Sequence, residues 1–233
     1  MKLKKIASLM LAGVMAVSML AGCNTTSVDP EPTPDPDPTP ATGYSVEMAS
    51  NLSDAAKKDY IAFEDNADDL AALEDALGNM SWTTTAGYTA IPRVITPVNG
   101  WNSLDTAVVV DDFVTALDIE NEALTYGTMR NELVSFKDLN AAETVKYGLL
   151  YVVDGTTVDE NKALNQVADH LDAYFATLKE TGKIEDQDDN EVTYDFDYTI
   201  SVSVVNKTSD VIDWYNGSAN FIAVTVTRTA TAD

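Results

Sequence analysis

Asp186, Asp188 and Asn190 alternate along a short acidic stretch, and Asp197 stands at the twelfth position of the same register. Oxygen-bearing side chains on alternate residues are how a calcium loop converges on one hard cation. The pattern departs from an EF-hand in two places. Glu191 occupies the position where the loop needs glycine for its turn, and the last ligand is aspartate rather than glutamate. The sequence therefore favours an acidic, solvated connection and leaves calcium as the one cofactor to test. A second group is aromatic. Trp214 and Tyr215 precede Asn216-Gly217, and Trp82 and Trp101 lie in irregular stretches. Flat rings beside amides and carboxylates suit the stacking and edge pairing of sugar rings, although large aromatics serve as core anchors more often.

Catalytic chemistry finds little else to use. His170 is the single histidine of the chain. A histidine zinc triad needs three. His170 falls on the flank of an apolar helical stripe, where a boundary side chain with its tip in water is expected. No Gly-x-Ser-x-Gly elbow is present, and no serine has a lysine three residues on. Gly155-Thr156-Thr157 lacks the lysine and flanking glycine of a phosphate loop. Glycoside hydrolysis needs only two carboxylates at a fixed separation, but acids are so abundant that no pair stands out.

The elements that must position these groups are legible in part. Tyr44 to Met48 alternates as a short strand would. Ser53 can cap a helix over 54–77, ended by Gly78-Asn79. Residues 80–102 lose the helical period and contain Pro92 and Pro97, which suggests strands or extended loops. Helices are expected over 104–117 and 120–136. Asn140 with Glu143 looks like a capping box for a further helix carrying Val145, Leu149, Leu150 and Val153, ended by Asp154-Gly155. Thr157 with Glu160 repeats the device before the clearest stripe in the chain: Leu164, Val167, Ala168, Leu171, Phe175 and Leu178, with Gly182 as its stop. From Tyr194 the period becomes two, with Phe196, Tyr198, Ile200, Val202 and Val204 on one face. A second strand runs from about 220 to 229, after the hairpin signal Asn216-Gly217. Helices first and antiparallel strands last predict an α+β fold, a single domain over 44–233.

Ahead of that domain lie two segments of different character. Residues 24–43 hold six of the eight prolines, four acids and no aromatic residue. Such a segment cannot bury enough surface to offset its ordering entropy. Alternating proline holds it extended, at about 3.1 Å per residue. Residues 1–22 begin Met1-Lys2-Leu3-Lys4-Lys5 and continue as the apolar run Ile6 to Leu20. That run is shorter than the roughly 20 residues needed to span a bilayer. A charged start, an apolar middle and small residues before a cut site describe a secretory signal peptide.

The segment ends Leu20-Ala21-Gly22-Cys23, and Cys23 is the only cysteine. This ending resembles the lipobox of bacterial lipoproteins, over residues 1–23 alone. The resemblance implies that Cys23 is lipidated and becomes the first mature residue, anchored to a bacterial membrane and held outside the cytoplasm on a stalk formed by residues 23–43. Two acyl chains anchor stably where one is marginal. The chain from Cys23 onward carries 38 acidic and 11 basic residues, a net charge of −27. That charge opposes nucleic-acid binding and docking on anionic headgroups. Disulfides and cysteine-type zinc sites are excluded from a domain without cysteine. The expected function is a non-enzymatic binding or interaction module of the bacterial surface, with a glycan or a protein as partner. The alternatives are a carboxylate-based glycan hydrolase and a structural envelope protein.

Overall fold

The structure, a computed structural model, describes residues 43–78, 80, 91–98, 104–117, 144–185, 191–208 and 217–232. All of them fall in one compact unit, Pro40–Asp233. The fold is α+β. In chain order its elements are α1 (Tyr44–Ser50), β1 (Ile61–Phe63), α2 (Ala67–Gly78), β2 (Thr96–Pro97), α3 (Leu104–Ala116), β3 (Val145–Asp154), α4 (Glu160–Phe175), β4 (Thr181–Glu185), β5 (Glu191–Thr208) and β6 (Ser218–Ala232). The strands form one sheet in the order β1-β5-β6-β3-β2, with β4 sharing the outer edge of β5. Every pairing is antiparallel except that of β1 with β5.

The sheet is covered on both faces. Paired residues share a face, so Tyr151, Ile222 and Val204 lie on one side, and Gly148, Thr225 and Ser201 on the other. The Tyr151 ring meets His170 of α4, and Phe63 of β1 meets Phe175 edge-on. Helix α4 therefore covers the first face, with α1 beside it. On the second face Asp69 of α2 accepts hydrogen bonds from Lys146 and Thr225, and α3 packs against α2. Asp69 is only 1% exposed, so these contacts replace the water it loses. Lys207 closes the helix by donating to the Leu77 carbonyl.

Double coverage explains the main error of the sequence reading. Residues 145–153 form β3, not a helix. Val145-Lys146-Tyr147-Gly148-Leu149-Leu150-Tyr151-Val152-Val153 has no two-residue alternation because, apart from Lys146, both faces of the strand are buried. A short continuous apolar run reads equally as a buried helix segment, and its β-branched and aromatic content is what decides.

Other expectations need correction. Residues 44–48 open helix α1 rather than a strand, and the Ser45 side chain is spent on tertiary bonding. Its hydroxyl accepts from Val202 N at 2.8 Å, on the edge of β5. The long helix expected over 54–77 is interrupted. Ser53 does not cap it; its N–H and hydroxyl donate to the Asp172 carboxylate at 2.7 and 3.0 Å. A turn and β1 follow, and α2 starts afresh where Asn66 accepts from Asp68 N at 2.9 Å. Helix α4 is capped by Asp159, which accepts from Lys162 N, and not by Thr157. It ends at Phe175, before Gly182, and Lys58 donates to the carbonyls of Ala176 and Leu178 just beyond it. Gly182 belongs to β4 instead, where the Phe196 ring leaves no room for a Cβ.

The expected stripe of α4 is wholly buried, from Leu164 to Leu178. Each large side chain there contributes about 1.5–3 kcal/mol. In β5 the period of two holds as far as Ile200, after which Ser201 and Ser203 are buried as well. Arg228 of β6 is fully buried with its guanidinium 4.6 Å from the Phe196 ring centre. Burial lowers its pKa and the neighbouring Tyr198 opposes that shift. The helix expected over 120–136 lies outside the described residues.

Candidate functional site

The most developed polar site lies at one end of the sheet, where β3 hands over to α4 and where β5 ends and β6 begins. Asp154 closes β3 and organises the turn. Its carboxylate accepts from Thr156 N at 2.9 Å and from the Thr156 and Thr157 hydroxyls. Burial would raise the Asp154 pKa, but these hydrogen bonds and the charge of Arg93 outweigh it and hold the carboxyl below its ordinary value. Gly155 follows, and its N–H donates to the Ser218 carbonyl at 2.8 Å. A Cβ on Gly155 would lie 2.7 Å from Asn206 Nδ2 and 2.8 Å from Ser218 Oγ. Only glycine lets the turn approach the strand pair this closely.

The strand pair presents Asn206 and Asn220 directly opposite each other. Asn220 is 1% exposed and donates to the Val158 carbonyl at 2.8 Å. That contact fixes its amide nitrogen, so its oxygen faces Asn206 Nδ2 at 2.6 Å. From the far side, Tyr44 of α1 donates to Glu160 Oε2 at 2.7 Å. The Glu160 acceptor, then burial, push the Tyr44 phenol up to about 12.

Gly155, Asp159, Glu160, Asn161, Asn206 and Asn220 together line an open notch of about 420 Å³, within the roughly 300–1,000 Å³ of small-molecule sites. Its walls are carboxylates, carboxamides and the first turn of a helix. Such a surface can hydrogen-bond a polar ligand. Both carboxylates already serve the fold, since Asp159 caps α4 and Glu160 holds Tyr44.

Cys23, Asp186, Asp188, Asn190, Trp214 and Tyr215 lie outside the described residues. Asp197 is exposed in β5, opposite Thr229. It stands six residues beyond Glu191, where β5 begins, about 20 Å along a strand that rises about 3.3 Å per residue. Calcium ligands sit at about 2.3–2.6 Å from the ion. The strand therefore holds Asp197 about 20 Å from Glu191. Among the described residues no three His, Cys, Asp or Glu side chains are grouped to hold a metal ion. His170 sits at the exposed margin of α4, with Tyr151 and Tyr174 beside its ring. Partial desolvation lowers its pKa.

Sequence reasoning passed over the notch. Asn206 and Asn220 occupy ordinary strand positions, and nothing in their spacing announces that they pair. Gly155 after Asp154 is the available signal, because Asp-Gly marks a turn, but in sequence it reads equally as the end of a helix.

Comparison with protein-family models, with curated proteins and with solved structures returns no match to this chain. Among the described residues no helix is long and apolar enough to cross a membrane.

Proposed function

We propose that the protein is a lipid-anchored binding module of the bacterial cell surface, held outside the membrane through Cys23 and its proline-rich spacer. The observation that carries the reading is the ordered succession of charged start, apolar run, Leu20-Ala21-Gly22-Cys23 and spacer. The polar notch supports binding as the task of the domain. It is open, and carboxylates and carboxamides line it. Binding is favoured over glycan hydrolysis by the work its carboxylates already do. Asp159 and Glu160 are consecutive residues at a helix start, each with one oxygen committed to the fold. They do not face each other across a gap in the manner of a hydrolytic pair.

The test is metabolic labelling of the full chain in a bacterial host with an alkyne fatty acid. The wild-type protein takes up label and fractionates with membranes, whereas Cys23→Ala takes up none and is lost from them. Unlabelled wild-type protein, or a Cys23→Ala variant that stays labelled, refutes the anchor. Saturable retention of the released variant on isolated envelope polymer, without turnover of that polymer, then tests the binding role.

A further inference from the structure

We infer that the outer edge of β5, from Val204 to Thr208, takes an extended basic polypeptide as an added strand. The inference rests on the binding-module reading and names a protein as its partner class. The hydrogen bonds fix which backbone groups of β5 face outward. Tyr198 N donates to the Tyr60 carbonyl, Glu64 N donates to the Ile200 carbonyl, and Val202 N donates to the Ser45 hydroxyl. Outward groups therefore belong to the even-numbered residues. The pairing with β6 runs without interruption to Thr208, so the same alternation carries on to Val204, Asn206 and Thr208. The last residue that β1 pairs is Ile200. Among the described residues no group bonds to the outward backbone of Val204, Asn206 or Thr208. Asn206 and Thr208 are exposed. The other margin of the sheet differs, because β3 is buried along its length apart from Lys146.

An unpaired edge is a template for another strand. Strand addition draws its affinity from the main chain and its specificity from alternate side chains. Charge decides which side chains fit here. Glu64 and Asp65 are exposed where β1 ends, and Asp159 and Glu160 line the notch together with Asn206. Lys207, the basic residue of this stretch, is turned to the Leu77 carbonyl of α2 on the opposite face. Antiparallel addition is the more stable arrangement per residue. In it, the residue opposite Asn206 points its N–H at β5 and its side chain to the face that Asn206 shares with Asp159 and Glu160. A lysine or arginine there meets opposite charge, whereas an acidic residue is repelled. A second copy of this acidic chain is repelled in the same way.

The experiment is a calorimetric titration of the full chain with a blocked, strand-length peptide of alternating threonine and lysine. Two further peptides serve as probes: one with glutamate in place of lysine, and one methylated on the backbone nitrogens of its lysines, which keeps the charge and removes the pairing hydrogens. Thr208→Pro removes an outward N–H and leaves the β5–β6 ladder intact. Glu160→Gln removes a charge and keeps an acceptor for Tyr44. Asp195→Ala, on an exposed stretch of β5 far from this edge, is the control, and circular dichroism confirms that each variant is folded. The lysine peptide is expected to bind and to slow amide exchange at Val204 and Asn206. Thr208→Pro and Glu160→Gln are each expected to weaken it about tenfold, the equivalent of one lost hydrogen bond or charge contact, with Asp195→Ala unchanged. The other two peptides are expected not to bind. Equal binding of the methylated peptide, or unchanged exchange at Val204 and Asn206, overturns strand addition. Equal binding of the glutamate peptide overturns the basic partner. No binding of the lysine peptide overturns the proposal; retention on envelope polymer then leaves the binding module standing, and loss of that retention as well overturns both.

Discussion

Asp69→Ala is the sharpest probe of how the helical layer is fastened to the sheet. Asp69 is 1% exposed, and its two oxygens accept from Lys146 on β3 and Thr225 on β6. Hydrogen bonds to a charged group are worth about 1.5–3 kcal/mol each. Lys146 retains 24% exposure and can turn toward water, so its share falls at the low end. Thr225 is 2% exposed and its hydroxyl is left without an acceptor. Removing the carboxylate is therefore expected to cost about 3–4 kcal/mol. For a domain of this size each kcal/mol moves the midpoint by about 2–4 °C, which gives a drop of roughly 6–16 °C. Chemical and thermal denaturation of Asp69→Ala, Lys146→Met and the double variant would measure it. A coupling of about 1–3 kcal/mol between the two positions is expected. A loss under about 1 kcal/mol for Asp69→Ala, or strict additivity with Lys146→Met, refutes the argument that this contact anchors α2.

Three further outcomes are expected. Ser45→Ala leaves the Val202 N–H without its acceptor in a buried site and costs about 1–3 kcal/mol, and amide exchange at Val202 should accelerate more than at Val224 in the centre of β6. Calcium is expected to leave the unfolding midpoint as it is in chelator, because Glu191 stands where a calcium loop needs glycine and the register closes on aspartate rather than glutamate; a clear rise would show that the folded protein binds the ion. The single His170 should titrate in NMR below 6.5, the ordinary imidazole value. Its folded pKa is depressed, so its contribution to stability is complete above the unfolded pKa and is lost as pH falls toward the folded one. A midpoint at or above 6.5 would contradict the packing of its ring against Tyr151 and Tyr174.

The sequence reading succeeded where burial is one-sided. Helix α4 exposes Asp169 and His170 and buries Leu164, Val167 and Leu171, so its period is plain. The first half of β5 alternates between exposed Asp195 and Asp197 and buried Phe196 and Tyr198, so it too is plain. It failed in β3, where helices on both faces remove the polar half of the pattern. It failed again between Ser53 and Asn66, where Ser53 and Ser45 bond to groups far away in the chain and not to their own helix. The notch was illegible for the same reason. Asn206, Asn220 and Gly155 acquire meaning only when the β5–β6 pairing and the β3–α4 turn bring them within hydrogen-bonding reach.

The place of β5 and β6 in the sheet has a consequence for how the chain folds. These last strands pair with each other over 15 positions, and β1 and β3 can join the sheet only by adding to them. Residue 61 waits for residue 198, and residue 145 for residue 228. Domains emerging N-terminus first often begin to fold before they are complete. Here α1, β1 and α2 have no sheet to cover until the final forty residues arrive. The sheet can therefore close only once residues 191–232 are present. A C-terminal truncation that removes β6 would accordingly cost the whole domain and not merely one strand.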